Sequence, residues 1–201
     1  MSESFLIGID EAGRGPLAGP VAIGLFKINK GSLKKGFFEK NFPGLKDSKK
    51  LTEKKREEFF IKLQSFKKDG IIDFSVSLIS EKIIDQKGIS FAIKLGIEKC
   101  LKKVKAQSKD EILLDGGLKV SPLFKNQKTI IKGDEKEPTI SLASICAKVT
   151  RDRFMKKEAL KYPDFGFEVH KGYGTKKHRE YIEKLGLTKI HRKSFCKKVR
   201  V

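Results

Sequence analysis

Residues 5–20 read FLIGIDEAGRGPLAGP. A short apolar run ends in two adjacent carboxylates, Asp10 and Glu11. Three glycines and two prolines then open the backbone. FLIGID (5–10) predicts a strand, and PVAIGLFKI (20–28) predicts a second, close enough to pair with it as a hairpin. GIIDFSVSLI (70–79) predicts a third. Before it, Thr52 is placed to cap a helix that carries Phe59, Phe60, Leu63 and Phe66. A second helix is expected from about Ser90, with Ile93, Ile97, Leu101 and Val104 on one face. EILLD (111–115) and KTIIKGD (128–134) read as strands that each end in an aspartate. From Pro138 a long helix follows, with an apolar stripe of Leu142, Ile145, Cys146 and Val149 and a polar stripe of Ser141, Ser144, Lys148 and Arg151. PDFGFEVHKGYGT (163–175) reads as a loop, and residues 176–186 as a last amphipathic helix. An antiparallel pair followed by strand–helix–strand units predicts an α/β fold, a mixed sheet flanked by helices. The chain is expected to be one domain over 1–201, with a core over about 1–160 and a C-terminal helical extension over about 161–201.

The chain has 201 residues, enough to bury a core without staples. Its 45 Lys and Arg against 25 Asp and Glu leave a net charge of +20, which favours a polyanionic partner, most often nucleic acid. Lysine doublets are spread along the chain, so solvated surface charge is the competing explanation. No stretch approaches the roughly 18 apolar residues that span a bilayer, and the first residues lack a secretory pattern. Cys100, Cys146 and Cys196 are far apart, without a C-x-x-C, which argues against a disulfide framework or a zinc site. A cytoplasmic setting is the expectation.

Three predicted strands end in acid: Asp10 with Glu11, Asp115, and Asp134. Ligands of α/β sheets gather at strand ends. Four carboxylates converging on one sheet edge would repel one another unless a hard cation sat between them. All-oxygen donors suit Mg²⁺ or Mn²⁺. In a basic protein, such a site fits phosphodiester cleavage, in which two ions about 4 Å apart activate water and stabilise the leaving oxygen. Helix capping and turn formation are the ordinary uses of strand-end aspartates. GRGPLAG lacks the Gly-Lys-Ser/Thr of a P-loop and the G-x-G-x-x-G of a dinucleotide site. It remains either a tight turn or a backbone that a ligand approaches closely, with Arg14 presented to that ligand.

GIDEAGRGPLAGPV (8–21), KDSKKLT (46–52), LLDG (113–116), KGD (132–134), SLASICAKVTRD (141–152) and HKGYGT (170–175) closely resemble the motifs of bacterial type 2 ribonuclease H, ribonuclease HII, in family order and over nearly the whole chain. The resemblance implies a ribonuclease H-like fold. It implies cleavage of RNA in RNA–DNA hybrids and incision 5′ of single ribonucleotides in duplex DNA, leaving 3′-hydroxyl and 5′-phosphate ends, as in ribonucleotide excision and DNA repair. Asp10, Glu11, Asp115 and Asp134 would be the catalytic, metal-binding carboxylates. Gly13, Arg14 and Gly15 would lie against the ribose and sense its 2′-hydroxyl. Tyr173 would pack on the sugar at the junction, and Lys49, Ser144 and Lys148 would contact phosphates. Asp152 reads as part of the long helix, paired with Arg151 or Arg153. His170, His178 and His191 carry no metal spacing and no assigned catalytic role. A monomer is expected, without an obvious sliding-clamp peptide or the N-terminal domain of type 3 enzymes. A DNA-specific nuclease of the same superfamily and a non-enzymatic RNA-binding module are the alternatives.

Overall fold

The computed structural model describes residues 4–45, 51–197 and 199. The expected N-terminal hairpin is present. β1 (Phe5–Ala12) and β2 (Val21–Asn29) run antiparallel, from Phe5 opposite Asn29 to Ala12 opposite Ala22. β3 (Ile72–Ile79) pairs antiparallel with β2. β4 (Glu111–Asp115) and β5 (Gln127–Ile130) add in parallel on the other side of β1. The order β3-β2-β1-β4-β5 puts β1 at the centre of a mixed sheet.

Helices cover both faces. On one lie α1 (Phe37–Asn41), α2 (Glu53–Lys68) and the long α6 (Pro138–Ala159); on the other lie α3 (Glu81–Lys87) and α4 (Ile89–Lys103). Thr52 caps α2 as its sequence suggests, accepting from the Lys55 amide at 3.2 Å. Alternation along β1 sorts the two cores: Ile7 and Ile9 pack with Ile23, Leu25 and Ile97 toward α4, whereas Leu6 packs with Phe26 and Leu142 on the α6 side.

Two glycines decide how closely α6 approaches. A Cβ on Gly8 would lie 2.3 Å from the Thr139 carbonyl, and one on Gly24 would lie 2.0 Å from the Ala143 oxygen. The helix backbone therefore rests directly on the hairpin, with no side chain between them.

Three expectations change. The strand predicted over 128–134 stops at Ile130, because Lys132 takes a left-handed φ of 55° and turns the chain into α5 (Gly133–Lys136), which carries Asp134. The polar stripe of α6 is largely buried: Ser141 is 1% exposed and Arg151 0%, because the helix is enclosed on several sides. Asp152 pairs with Lys148 at 2.9 Å. Arg151 is turned inward to main-chain carbonyls, and Arg153 reaches Glu57.

The C-terminal segment contributes α7 (Phe167–His170), α8 (Lys176–Leu185) and α9 (Lys193–Cys196). Phe165, Phe167 and Ile182 pack on Leu17, Ala18 and Met155, so this segment closes over the loop that follows β1. The three cysteines are free and buried. Among the described residues, no helix is long and apolar enough to cross a membrane.

Gly24→Ala should cost roughly 3 kcal/mol, since the clash is with backbone. For a domain of this size that is about 6–12 °C in Tm. Gly117, whose added Cβ would meet nothing within 4 Å, supplies the control. Scanning calorimetry of Gly24→Ala and Gly117→Ala checks this: equal Tm values would mean that α6 does not need the close approach.

Candidate active site

Ile9 pairs with Leu114 across the parallel strands β1 and β4. The next residues, Asp10 near the end of β1 and Asp115 at the end of β4, therefore lie side by side on neighbouring strands, on the α6 face. With Glu11 they line a cleft of about 510 Å³. α6 supplies Ser144 and Lys148 to the same cleft, and the C-terminal segment supplies Tyr173.

Asp10 is 4% exposed. Burial, reinforced by the nearby charges of Glu11 and Asp115, pushes its carboxyl up to about 8, although the Ser144 hydroxyl and the Glu11 amide both hydrogen-bond to it. Glu11 is reached by the Arg14 guanidinium at 3.2 Å; the arginine is half exposed, so this pair neutralises little. Asp115 Oδ1 accepts from the Gly133 amide at 2.6 Å, which ties the turn bearing Asp134 to the end of β4.

The expected convergence of four acids is met in part. Asp10, Glu11 and Asp115 share the cleft, whereas Asp134 lines the neighbouring cavity with Leu45, Pro138 and Ser141. The left-handed turn at Lys132 is what displaces it from a direct strand end. Among the described residues, no three His, Cys, Asp or Glu side chains are gathered into a complete cage for a metal ion. The donor set still fits a hard divalent cation. It is all oxygen, and the carboxyl of its innermost member, Asp10, is pushed up chiefly by burial and further by the charges of Glu11 and Asp115, which a cation would offset. Mg²⁺ commonly takes only one or two carboxylates, completing its shell with waters and substrate phosphates.

The glycine loop is held by two arginines that are both fully buried. Arg192 donates to the carbonyls of Gly13 (2.7 Å), Arg14 (3.0 Å) and Gly19 (2.8 Å). Arg151 donates to those of Pro20 (2.9 Å), Ala18 (3.1 Å) and Lys171 (3.0 Å). The amides of Leu17 and Ala18 donate to Gly172 O, joining the loop to the segment that carries Tyr173. Tyr173 is 43% exposed, with its ring 5.9 Å from Lys148 Nζ.

The glycines of the loop differ. Gly13 has φ +86°, and a Cβ there would lie 2.0 Å from Arg151 Nε. Gly15 has neither constraint: a Cβ would meet nothing within 4 Å. The fold requires glycine at 13 but not at 15.

Of the sequence-derived phosphate contacts, Ser144 and Lys148 are in the cleft, and Lys49 lies outside the described residues. Arg56 of α2 also lines the cleft and was not singled out. It sits in KKREE, where nothing distinguishes it from neighbouring solvated charges. Arg192 was missed too; nothing in the lysine-rich tail sets it apart from the other basic residues there.

Without divalent cation, a pH dependence follows from Asp10. Its folded pKa lies above the unfolded value of 3.8, so its stabilising contribution is full below about 4 and is lost as pH rises through about 8. In EDTA, Asp10→Asn should therefore be more stable than wild type at pH 8.5, with the gap closing toward pH 5. Calorimetry at the two pH values checks this. A gap that stays constant would mean that Asp10 is not the group that titrates.

The model of the family described as ribonuclease HII matches residues 7–198. The ribonuclease HII of Endomicrobium trichonymphae is 46% identical over 188 residues, covering 94% of this chain and 83% of that protein. That of Caldicellulosiruptor bescii is 42% identical over 195 residues, covering 97% and 88%. Among solved structures, ribonuclease H2 from Pyrococcus horikoshii superposes with a TM-score of 0.73 at 31% identity, covering 97% of this chain and 96% of that one. The RNase HII of Archaeoglobus fulgidus, solved in complex with PCNA, gives 0.75 at 26%, covering 98% and 96%. The chain belongs to the ribonuclease HII family, endonucleolytic hydrolases that act on RNA.

Proposed function

We propose that the protein cleaves the RNA of RNA–DNA hybrids and also incises duplex DNA on the 5′ side of a single ribonucleotide, leaving 3′-hydroxyl and 5′-phosphate ends. Asp10, Glu11, Asp115 and Asp134 would hold Mg²⁺ or Mn²⁺. When bound, these ions supply an activated water and stabilise the leaving oxygen. Asp134 would join them from the turn that the Gly133 amide ties to Asp115. Ser144 holds Asp10 in place. Arg56 and Lys148 line the cleft as cations for the flanking phosphates.

The observation that carries the reading is Gly15. Nothing in the protein needs glycine there, yet the position lies in the cleft with the acids, on a backbone fixed by Arg192. The missing side chain leaves room for something outside the protein. A ribose whose 2′-hydroxyl meets main-chain atoms would use that space, and Tyr173, which lines the same cleft, would pack on the sugar. Family membership makes a non-enzymatic RNA-binding module untenable. A DNA-specific nuclease would have no use for a backbone sensor of this kind.

Gly15→Ala should leave Tm within about 2 °C of wild type. It should slow incision at a lone ribonucleotide by about 100-fold, the scale of a small misplacement of reacting atoms. Thermal melts and a labelled duplex carrying one ribonucleotide provide the measurement; full activity would remove the ribose-sensing role of the loop.

Asp10→Asn should fold but lose more than about 100-fold in rate with either cation, since even groups supporting a metal site are worth 10–100-fold. The same labelled duplex, assayed in Mg²⁺, Mn²⁺ and EDTA, tests it. Near wild-type turnover in the variant would exclude the metal site at β1.

A further inference from the structure

Three histidines pack together next to the Tyr173 turn, two of them hydrogen-bonded to each other, and their proton positions can be deduced. The Thr188 amide donates to His191 Nδ1 at 2.8 Å. An amide can only donate, so Nδ1 carries a lone pair and the proton of the neutral ring is on Nε2. That Nε2–H faces His178 Nε2 at 3.0 Å, which must accept. The proton of His178 is therefore on Nδ1, and Nδ1–H donates to the Tyr173 carbonyl at 2.9 Å. His170 is fixed in the same way. Its Nδ1 accepts from the Gly172 amide at 3.1 Å, and its Nε2–H donates to Phe165 O at 2.6 Å. Its ring stacks on that of His178 with centroids 4.2 Å apart.

The chain Thr188→His191→His178→Tyr173 thus has a single direction and ends on the peptide of the exposed tyrosine. His178 and His191 are buried, at 0% and 2% exposure, with Phe167 edge-on to His178. Within its own turn the Tyr173 amide donates to His170 O at 2.9 Å and its carbonyl also accepts from the Thr175 amide at 2.8 Å; His178 is the side chain that ties this turn, flanked by Gly172 at φ +83° and Gly174, to the core. Both histidines are held neutral, chiefly by burial, and the stack needs them neutral: a proton on His191 Nδ1 or on His178 Nε2 would remove an acceptor and break the chain.

We propose that His178 and His191 are positioning residues for substrate selection. By fixing the Tyr173 peptide, they hold its ring where it meets the sugar at an RNA–DNA junction. This rests on the ribose-packing role of Tyr173 proposed above. The effect should fall on single-ribonucleotide substrates more than on long hybrids, where many registers are productive.

The test compares incision of a duplex with one ribonucleotide against cleavage of a long hybrid, expressed as a ratio of kcat/KM values. His178→Phe, which keeps an aromatic ring but no donor, should lower that ratio about tenfold. His178→Asn, whose amide can replace Nδ1–H, should restore most of it. Tyr173→Ala should lower the ratio as well, and His178→Phe should then add nothing in the Tyr173→Ala background, because the histidine acts through the tyrosine. Equal losses on both substrates, or additive effects in the double variant, would reduce the stack to packing and overturn the proposal. If Tyr173→Ala leaves the ratio unchanged, the tyrosine's own role fails and the proposal fails with it; a shift with Tyr173→Ala but none with His178→Phe removes the proposal alone. Should the His178 variants not fold, nitrogen-15 NMR of the wild-type rings decides: the proposal requires the Nδ1–H form of His178 and the Nε2–H form of His191, and any other pair of tautomers overturns it.

Discussion

The backbone contact between α6 and the hairpin is the constraint on which the site depends. With no Cβ at Gly8 or Gly24, the helix sits against the central strands at main-chain distance. Everything α6 carries into the cleft inherits that placement: Ser144 against Asp10, Lys148 beside Tyr173, and Arg151 among the carbonyls that follow β1. A conventional layer of side chains between helix and sheet would lift all three together. The helix also brings its own cost, because so close a packing buries Ser141 and Arg151 along with the apolar stripe. These groups meet that cost with hydrogen bonds: Ser141 donates to Leu45 O at 3.0 Å, and each of the three Arg151 guanidinium nitrogens donates to a carbonyl.

The second feature is electrostatic. Arg151 and Arg192 are buried near each other, and neither draws on a carboxylate among the contacts that hold the loop. Burial first, and the neighbouring Arg151 charge second, bring the Arg192 guanidinium down to about 9. Two like charges in a low-dielectric setting are costly, and six carbonyl dipoles are what offset them. The planar fork of each arginine spans carbonyls that do not belong to one regular element. A lysine, with a single point charge, could not replace it. The loop is thus rigid before any ligand arrives, and its shape does not depend on a second acid that would compete for cations.

Much of this was legible from residue pattern. The hairpin, α2 with its Thr52 cap, the heptad-like face of α4 and the Pro138 start of α6 all follow local rules that the fold leaves undisturbed. The acids of β1 and β4 were legible because they follow apolar runs, although β1 continues two residues beyond Asp10 to Ala12. Asp134 was not placed correctly, because a left-handed lysine at 132 has no sequence signature comparable to glycine. Asp152 was assigned the wrong partner because adjacent arginines compete with an i,i−4 lysine, and only the tertiary environment turned Arg151 away from it. Arg192 and the histidine stack were invisible for a related reason. Their partners are main-chain atoms far away in sequence, and main-chain atoms leave no pattern to read.

Arg192 and the Gly13 carbonyl it holds are separated by 179 positions. During synthesis at roughly 5–20 residues per second, the carboxylate-bearing hairpin leaves the ribosome on the order of 10–40 s before the arginine that orders its loop. The sheet edge and the acids can form early; the rigid loop cannot. Growing chains therefore pass through a stage in which the carboxylates are present while the loop beside them is still unconstrained, and the ordered loop is the last part of the cleft to form.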